Sequence, residues 1–152
     1  MHGSIKAMAF LWVGVLGMAC SVYAAGGPVL INELMAANGG SYADPQGEYD
    51  DWVELYNAGD AQVDLAGMCL TDDDKVPAKW RIPYGTKIAA GGYLIIWLDG
   101  DITESGLHAS FGLDTAGDEL LLYDVDGATL LDYVHFGKQR HNISYGRYIT
   151  EI

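Results

Sequence analysis

At 152 residues the chain is long enough for one domain with an apolar core and too short for two comfortable ones. Half of its residues are apolar, so disorder is not the default reading. With 21 acidic against 8 basic side chains the formal charge is −13, a field that repels phosphate backbones and argues against nucleic acid as the main partner.

In chain order, Met1 to Ala25 has the zones of an export signal: Lys6 near the start, an uncharged run from Ala7 to Ala19, then Val22-Tyr23-Ala24 ahead of a cleavage point. The apolar run is short against the roughly 20 residues that a membrane span needs, so no span is expected once the signal is cleaved. Gly17-Met18-Ala19-Cys20 carries a cysteine after small residues, but the leucine that a lipoprotein signal places three residues earlier is absent. Cleavage removes Cys20 and leaves Cys69 alone, so no internal disulfide is expected and packing must hold the domain.

Beyond the spacer Gly26-Gly27-Pro28, apolar runs of four to eight residues alternate with Gly, Asp, Asn and Pro. Nowhere do apolar residues keep helical spacing over a helical length, so the period-2 reading applies. Strands are predicted at Val29 to Leu34, Asp51 to Asn57, Gln62 to Leu65, Met68 to Thr71 and Lys79 to Ile82. They continue at Lys87-Ile88, at Tyr93 to Leu98 (expected to be central and buried on both faces) and at Ala109 to Phe111. Glu119 to Asp124 and Ala128 to Phe136 flank Asp126-Gly127, a strong hairpin signal, and Ile143 to Arg147 closes the series. This is an all-β reading of eight to ten short strands, an antiparallel sandwich or barrel.

The order of motifs then becomes informative. Leu30-Ile-Asn-Glu33, Trp52-Val-Glu-Leu-Tyr-Asn57, Val63-Asp-Leu-Ala-Gly67, Leu70-Thr-Asp72 and Trp80-Arg-Ile-Pro83 follow one another. Ile88-Ala-Ala-Gly-Gly-Tyr-Leu94, Phe111-Gly-Leu113, Gly117 to Asp124 and Ile143-Ser-Tyr-Gly-Arg147 complete the set. Together they resemble the lamin tail domain family, in its bacterial secreted branch. The resemblance implies an immunoglobulin-like antiparallel β-sandwich over 26–152, behind a signal peptide over 1–25. It also implies a secreted or cell-surface setting, beside hydrolase, nuclease or spore-coat-type kinase domains. Met68-Cys69 stands where relatives carry an aromatic, and the chain stops at Ile152, where relatives run on into a final strand and linker. A domain shortened at its C-terminal end, or a fragment of a longer protein, is therefore expected.

The functional expectation is a non-catalytic interaction or targeting module whose partner is a protein or cell-surface polymer. The alternative is the accessory front domain of a secreted enzyme whose catalytic domain lies outside this chain. No cofactor is called for, but the stretch from Asp44 to Asp74 is acid-rich and holds no Lys or Arg. Asp44, Glu48, Asp50, Asp51, Asp72, Asp73 and Asp74 are hard oxygen ligands of the kind that hold Ca²⁺ where two loops converge. An EF-hand is excluded, because Tyr49 and Leu55 fall where its glycine and terminal glutamate belong. Glu33 and Glu54 are expected to face one another on paired strands, in a structural role rather than as a glycosidase pair. His108, His135 and His141 are scattered, without zinc-ligand spacing. Lys138, Arg140, His141 and Arg147 gather as a local basic cluster. Trp52, Trp80 and Trp97 are expected in the core unless two of them face outward together.

Overall fold

The computed structural model describes residues 9–11 and 27–148. The lipidation candidate Cys20 and most of the expected signal lie outside the described residues. The described strands are β1 (Ala9–Leu11), β2 (Val29–Met35), β3 (Asp51–Asn57), β4 (Val63–Asp64), β5 (Cys69–Thr71) and β6 (Trp80–Arg81). The series continues with β7 (Lys87–Ile88), β8 (Tyr93–Leu98), β9 (His108–Ala109), β10 (Gly117–Tyr123), β11 (Leu130–Gly137) and β12 (Tyr145–Tyr148). A six-stranded sheet in the order β1-β12-β2-β3-β8-β9 and a four-stranded sheet, β11-β10-β5-β6, form the two layers, with β4-β7 as a two-stranded ribbon. Every pairing is antiparallel except β8 with β9.

Period-2 alternation explains the layers. In β3, Val53 and Leu55 enter the main core, and Trp52 belongs to a separate cluster on the other face. The main core takes Ile31 and Leu34 from β2, Ile96 and Leu98 from β8, and Leu120 and Leu122 from β10. Each such side chain, fully buried, contributes about 1.5–3 kcal/mol. Trp80 packs in this core, whereas Trp52 and Trp97 lie together with Met35 on the outer face of the six-stranded sheet.

Three local expectations are corrected. The run Tyr93 to Leu98 is buried throughout only in its second half: Tyr93 is 58% exposed and stacks on Tyr56, its neighbour across β3. The described strands exceed the eight to ten expected: Ala9–Leu11, read as part of the export signal, pairs with β12, while β4 and β7 fall within predicted segments as strands of two residues each. Arg147 does not join the basic cluster, since its side chain is buried against Asp132, while Lys138, Arg140 and His141 are exposed. The Asp126-Gly127 hairpin forms as read, with Gly127 at φ 65° and Asp126 Oδ1 accepting from the Ala128 and Thr129 amides.

Asn57, at the end of β3, is fully buried and organises the opposite rim. Its Nδ2 donates to the carbonyls of Ala61, Ile88 and Ala89, and its Oδ1 accepts from the Gly59 amide. One side-chain amide thus closes the turn after β3 and ties it to the chain that follows β7.

Candidate functional site

Because β3 runs antiparallel to both β2 and β8, the chain leaving β2, the chain entering β3 and the chain leaving β8 all lie at one end of the six-stranded sheet. Two loops meet there, 36–50 and 99–107. Under them, Met35, Trp52 and Trp97 stand in one cross-strand row. Tyr42 covers that row, stacked on Trp97 with centroids 5.4 Å apart and edge-on to Trp52 at 6.3 Å. Stacked and edge-on arrangements are the favoured geometries for such rings.

The first loop is shaped by its own polar side chains. Asn38 Nδ2 donates to the Tyr42 and Asp50 carbonyls, and its Oδ1 accepts from the Ser41 amide. Asp44 Oδ1 accepts from the amides of Gln46 and Glu48, a tight turn that uses Gly47 at φ 92°. In the second loop Asp99 Oδ1 accepts from the Asp101 amide, and Asp99 Oδ2 lies 2.7 Å from Nδ1 of the buried His108. Gln46 Nε2 joins the loops by donating to the Ser105 carbonyl and hydroxyl.

This joining brings acids together. Ligand atoms of Asp44, Glu48 and Asp50 lie within 4.8 Å of one another, as do those of Glu48, Asp101 and Glu104, and those of Asp44, Glu104 and His108. Three carboxylate oxygens here, Asp44 Oδ2, Asp50 Oδ2 and Glu104 Oε2, are buried and accept no hydrogen bond. Neither loop contains Lys or Arg. Desolvation raises the Asp50 carboxyl, helped by the charges of Asp99, Asp44, Glu48 and Asp101. Desolvation likewise raises Glu104, with Glu48, Asp101 and Asp44 adding to it. For His108, burial pulls the imidazole pKa down, but the Asp99 hydrogen bond and charge outweigh it and the net direction is up.

The seven acids picked out by sequence do not share one place. Asp44, Glu48 and Asp50 converge; Asp51 turns away, its Oδ2 accepting from the Leu113 amide, and burial pushes it up to about 6. Asp72 pairs with Lys79, Asp73 Oδ1 accepts from the Lys75 amide and the Asp74 amide donates to Glu119, and among the described residues none of the three belongs to a converging group. Sequence reasoning missed Asp101 and Glu104, although Asp99-Gly-Asp101 followed by Glu104 was a visible acid-rich loop behind the most apolar strand. Glu33 and Glu54 are register partners, with Glu54 Oε1 accepting from Asn32 Nδ2 at 2.8 Å. His135 lies against Glu119, and Cys69 is fully buried.

A search of curated proteins finds no match. A family model described as Lamin Tail Domain matches residues 23–138, which spans β2 to β11 and both converging loops.

Proposed function

The chain belongs to the lamin tail domain family, and from that premise we propose that it serves as a non-catalytic interaction or targeting module of a secreted or cell-surface protein. The observation that carries this reading is the exposure of large apolar side chains in the two converging loops. Tyr42, Tyr49 and Ile102 are 51%, 50% and 61% exposed, and all three sit in the two converging loops above a packed tryptophan row. Loops held by a rigid sheet are where sandwich modules carry recognition, and half-exposed aromatics supply contact area at low entropic cost. The partner that fits is a protein or cell-surface polymer. The strongly negative charge disfavours nucleic acid. The signal-like segment at the N-terminus supports an exported setting.

The test is a fusion of the full chain to a reporter enzyme, fractionated after expression in the native host. Export with retention at the surface is expected, together with release of the reporter by Tyr49→Ser combined with Ile102→Ser at unchanged thermal midpoint. A reporter that stays in the cytosol, or retention indifferent to both substitutions, would overturn the reading.

A further inference from the structure

We propose that the loops 36–50 and 99–107 bind calcium through two carboxylate triads that share Glu48: Asp44, Glu48 and Asp50, and Glu48, Asp101 and Glu104. Acidic clusters are common on surfaces, and this one is set apart by burial. Asp44 is only 7% exposed and belongs to two of the converging groups; its Oδ1 is used by the turn that shapes the loop, and its Oδ2 is buried without a partner. Asp50 Oδ2 and Glu104 Oε2 share that condition from the two sides of the gap. A buried, unpaired carboxylate oxygen is costly, and several facing one another with no Lys or Arg in either loop are costlier still. A cation at their centre removes both penalties at once.

The donor set chooses the ion. Both ring nitrogens of His108 are engaged within the protein, Nδ1 with Asp99 Oδ2 at 2.7 Å and Nε2 facing the Ser105 carbonyl at 3.4 Å. That leaves oxygen ligands alone, on two irregular loops, which suits the flexible coordination of Ca²⁺ better than the strict octahedron of Mg²⁺ or the nitrogen and sulfur preference of Zn²⁺. His108 is a positioning residue that fixes the second loop through Asp99. The site lies beside the exposed Tyr42, Tyr49 and Ile102, so the bound ion also sets the shape of that surface.

The experiment is calorimetric and thermal titration of the full chain with Ca²⁺, Mg²⁺ and Zn²⁺ in turn. Saturable Ca²⁺ binding is expected, with a rise of about 5 °C or more in the midpoint at millimolar Ca²⁺ and a smaller response to Mg²⁺. Asp44→Asn and Glu104→Gln should each weaken Ca²⁺ binding at least about tenfold and leave the melt in chelator unchanged or higher, since a repelling charge has gone. Because exchange at buried Asp44 risks the fold itself, exposed Glu48 and Asp101 supply a second variant, Glu48→Gln with Asp101→Asn, with the same expected loss. The triple change Asp72→Asn, Asp73→Asn, Asp74→Asn should leave binding intact. Absence of saturable Ca²⁺ binding, loss of binding in the triple variant, or a Zn²⁺ site abolished by His108→Asn would each overturn the assignment.

Discussion

Arg147 and Asp132 form an ion pair in the interior, with side chains 1% and 0% exposed, that joins the two sheets through a third residue. Arg147 Nη2 reaches both carboxylate oxygens of Asp132. At the same time Arg147 Nε donates to the Ile31 carbonyl at 2.6 Å, and Asp132 Oδ2 accepts from the Ile31 amide at 2.7 Å. Ile31 borders the irregularity in β2, and among the described residues β12 pairs with β2 at Glu33 and Leu34 but not at Ile31, where two side chains take the place of a strand.

Breaking one partner of such a pair leaves a buried charge. Arg147→Met is expected to lower unfolding free energy by about 3–5 kcal/mol in urea titration. Replacing both, Arg147→Met with Asp132→Leu, removes the charge problem but orphans the Ile31 amide and carbonyl, at about 1–3 kcal/mol each. The double variant should therefore recover only part of the loss, and full recovery would show that the backbone contacts do not matter.

Asn57 makes a sharper test of polar bookkeeping. Its amide nitrogen faces three carbonyls, so Asn57→Asp would set a carboxylate against them. At pH 7 that variant should be less stable than Asn57→Ala, itself destabilised by about 2–4 kcal/mol through unpaired groups and lost packing. Equal stability of the two variants would contradict the orientation of the amide.

The Asp51 carboxyl gives stability a pH signature. Burial raises it from an ordinary 3.8 to about 6, so the folded state favours the protonated form. Its favourable contribution is complete below pH 3.8 and is lost as pH rises toward 6, because the unfolded chain ionises first. Relative to Asp51→Asn, which keeps an acceptor for the Leu113 amide, the wild-type chain should lose stability across that window and run parallel above it. Paired denaturation curves from pH 4 to pH 7 measure the difference.

Cys69 is fully buried, its Sγ 3.7 Å from the Gly67 carbonyl, and burial pushes its thiol up. A thiol reagent is expected to leave the native protein unmodified for hours at pH 8 and to label one cysteine of the folded domain at once in denaturant. Rapid native labelling would mean that β5 opens far below the global unfolding free energy.

Strands were legible because their signals are local. Asp51 to Asn57 and Tyr93 to Leu98 were read with the bounds they have, since alternation and punctuation lie within a few residues. The motif Ser144-Tyr-Gly-Arg147 was legible as a pattern but not as a mechanism. Gly146 sits opposite Glu33, where a Cβ would approach Glu33 Cγ at 3.1 Å, and Arg147 reaches a carboxylate fifteen positions earlier. Neither contact has a trace in local spacing. Trp52 and Trp97 were legible as strand residues, but their common face follows from register across β3 and β8.

The all-β class, the family resemblance and the acidic character were readable from the residues alone, because composition and period-2 patterning need no knowledge of neighbours. Only the tertiary structure decided which acids meet. Seven were grouped along the chain between Asp44 and Asp74, yet Asp72, Asp73 and Asp74 fall elsewhere, and Asp101 and Glu104 arrive from the loop after β8. The reason is topological: β2, β3 and β8 lie side by side and antiparallel, so loops distant in sequence share one end of a sheet. Burial of Asp44 between them, which separates a site from a solvated acidic surface, comes from that packing.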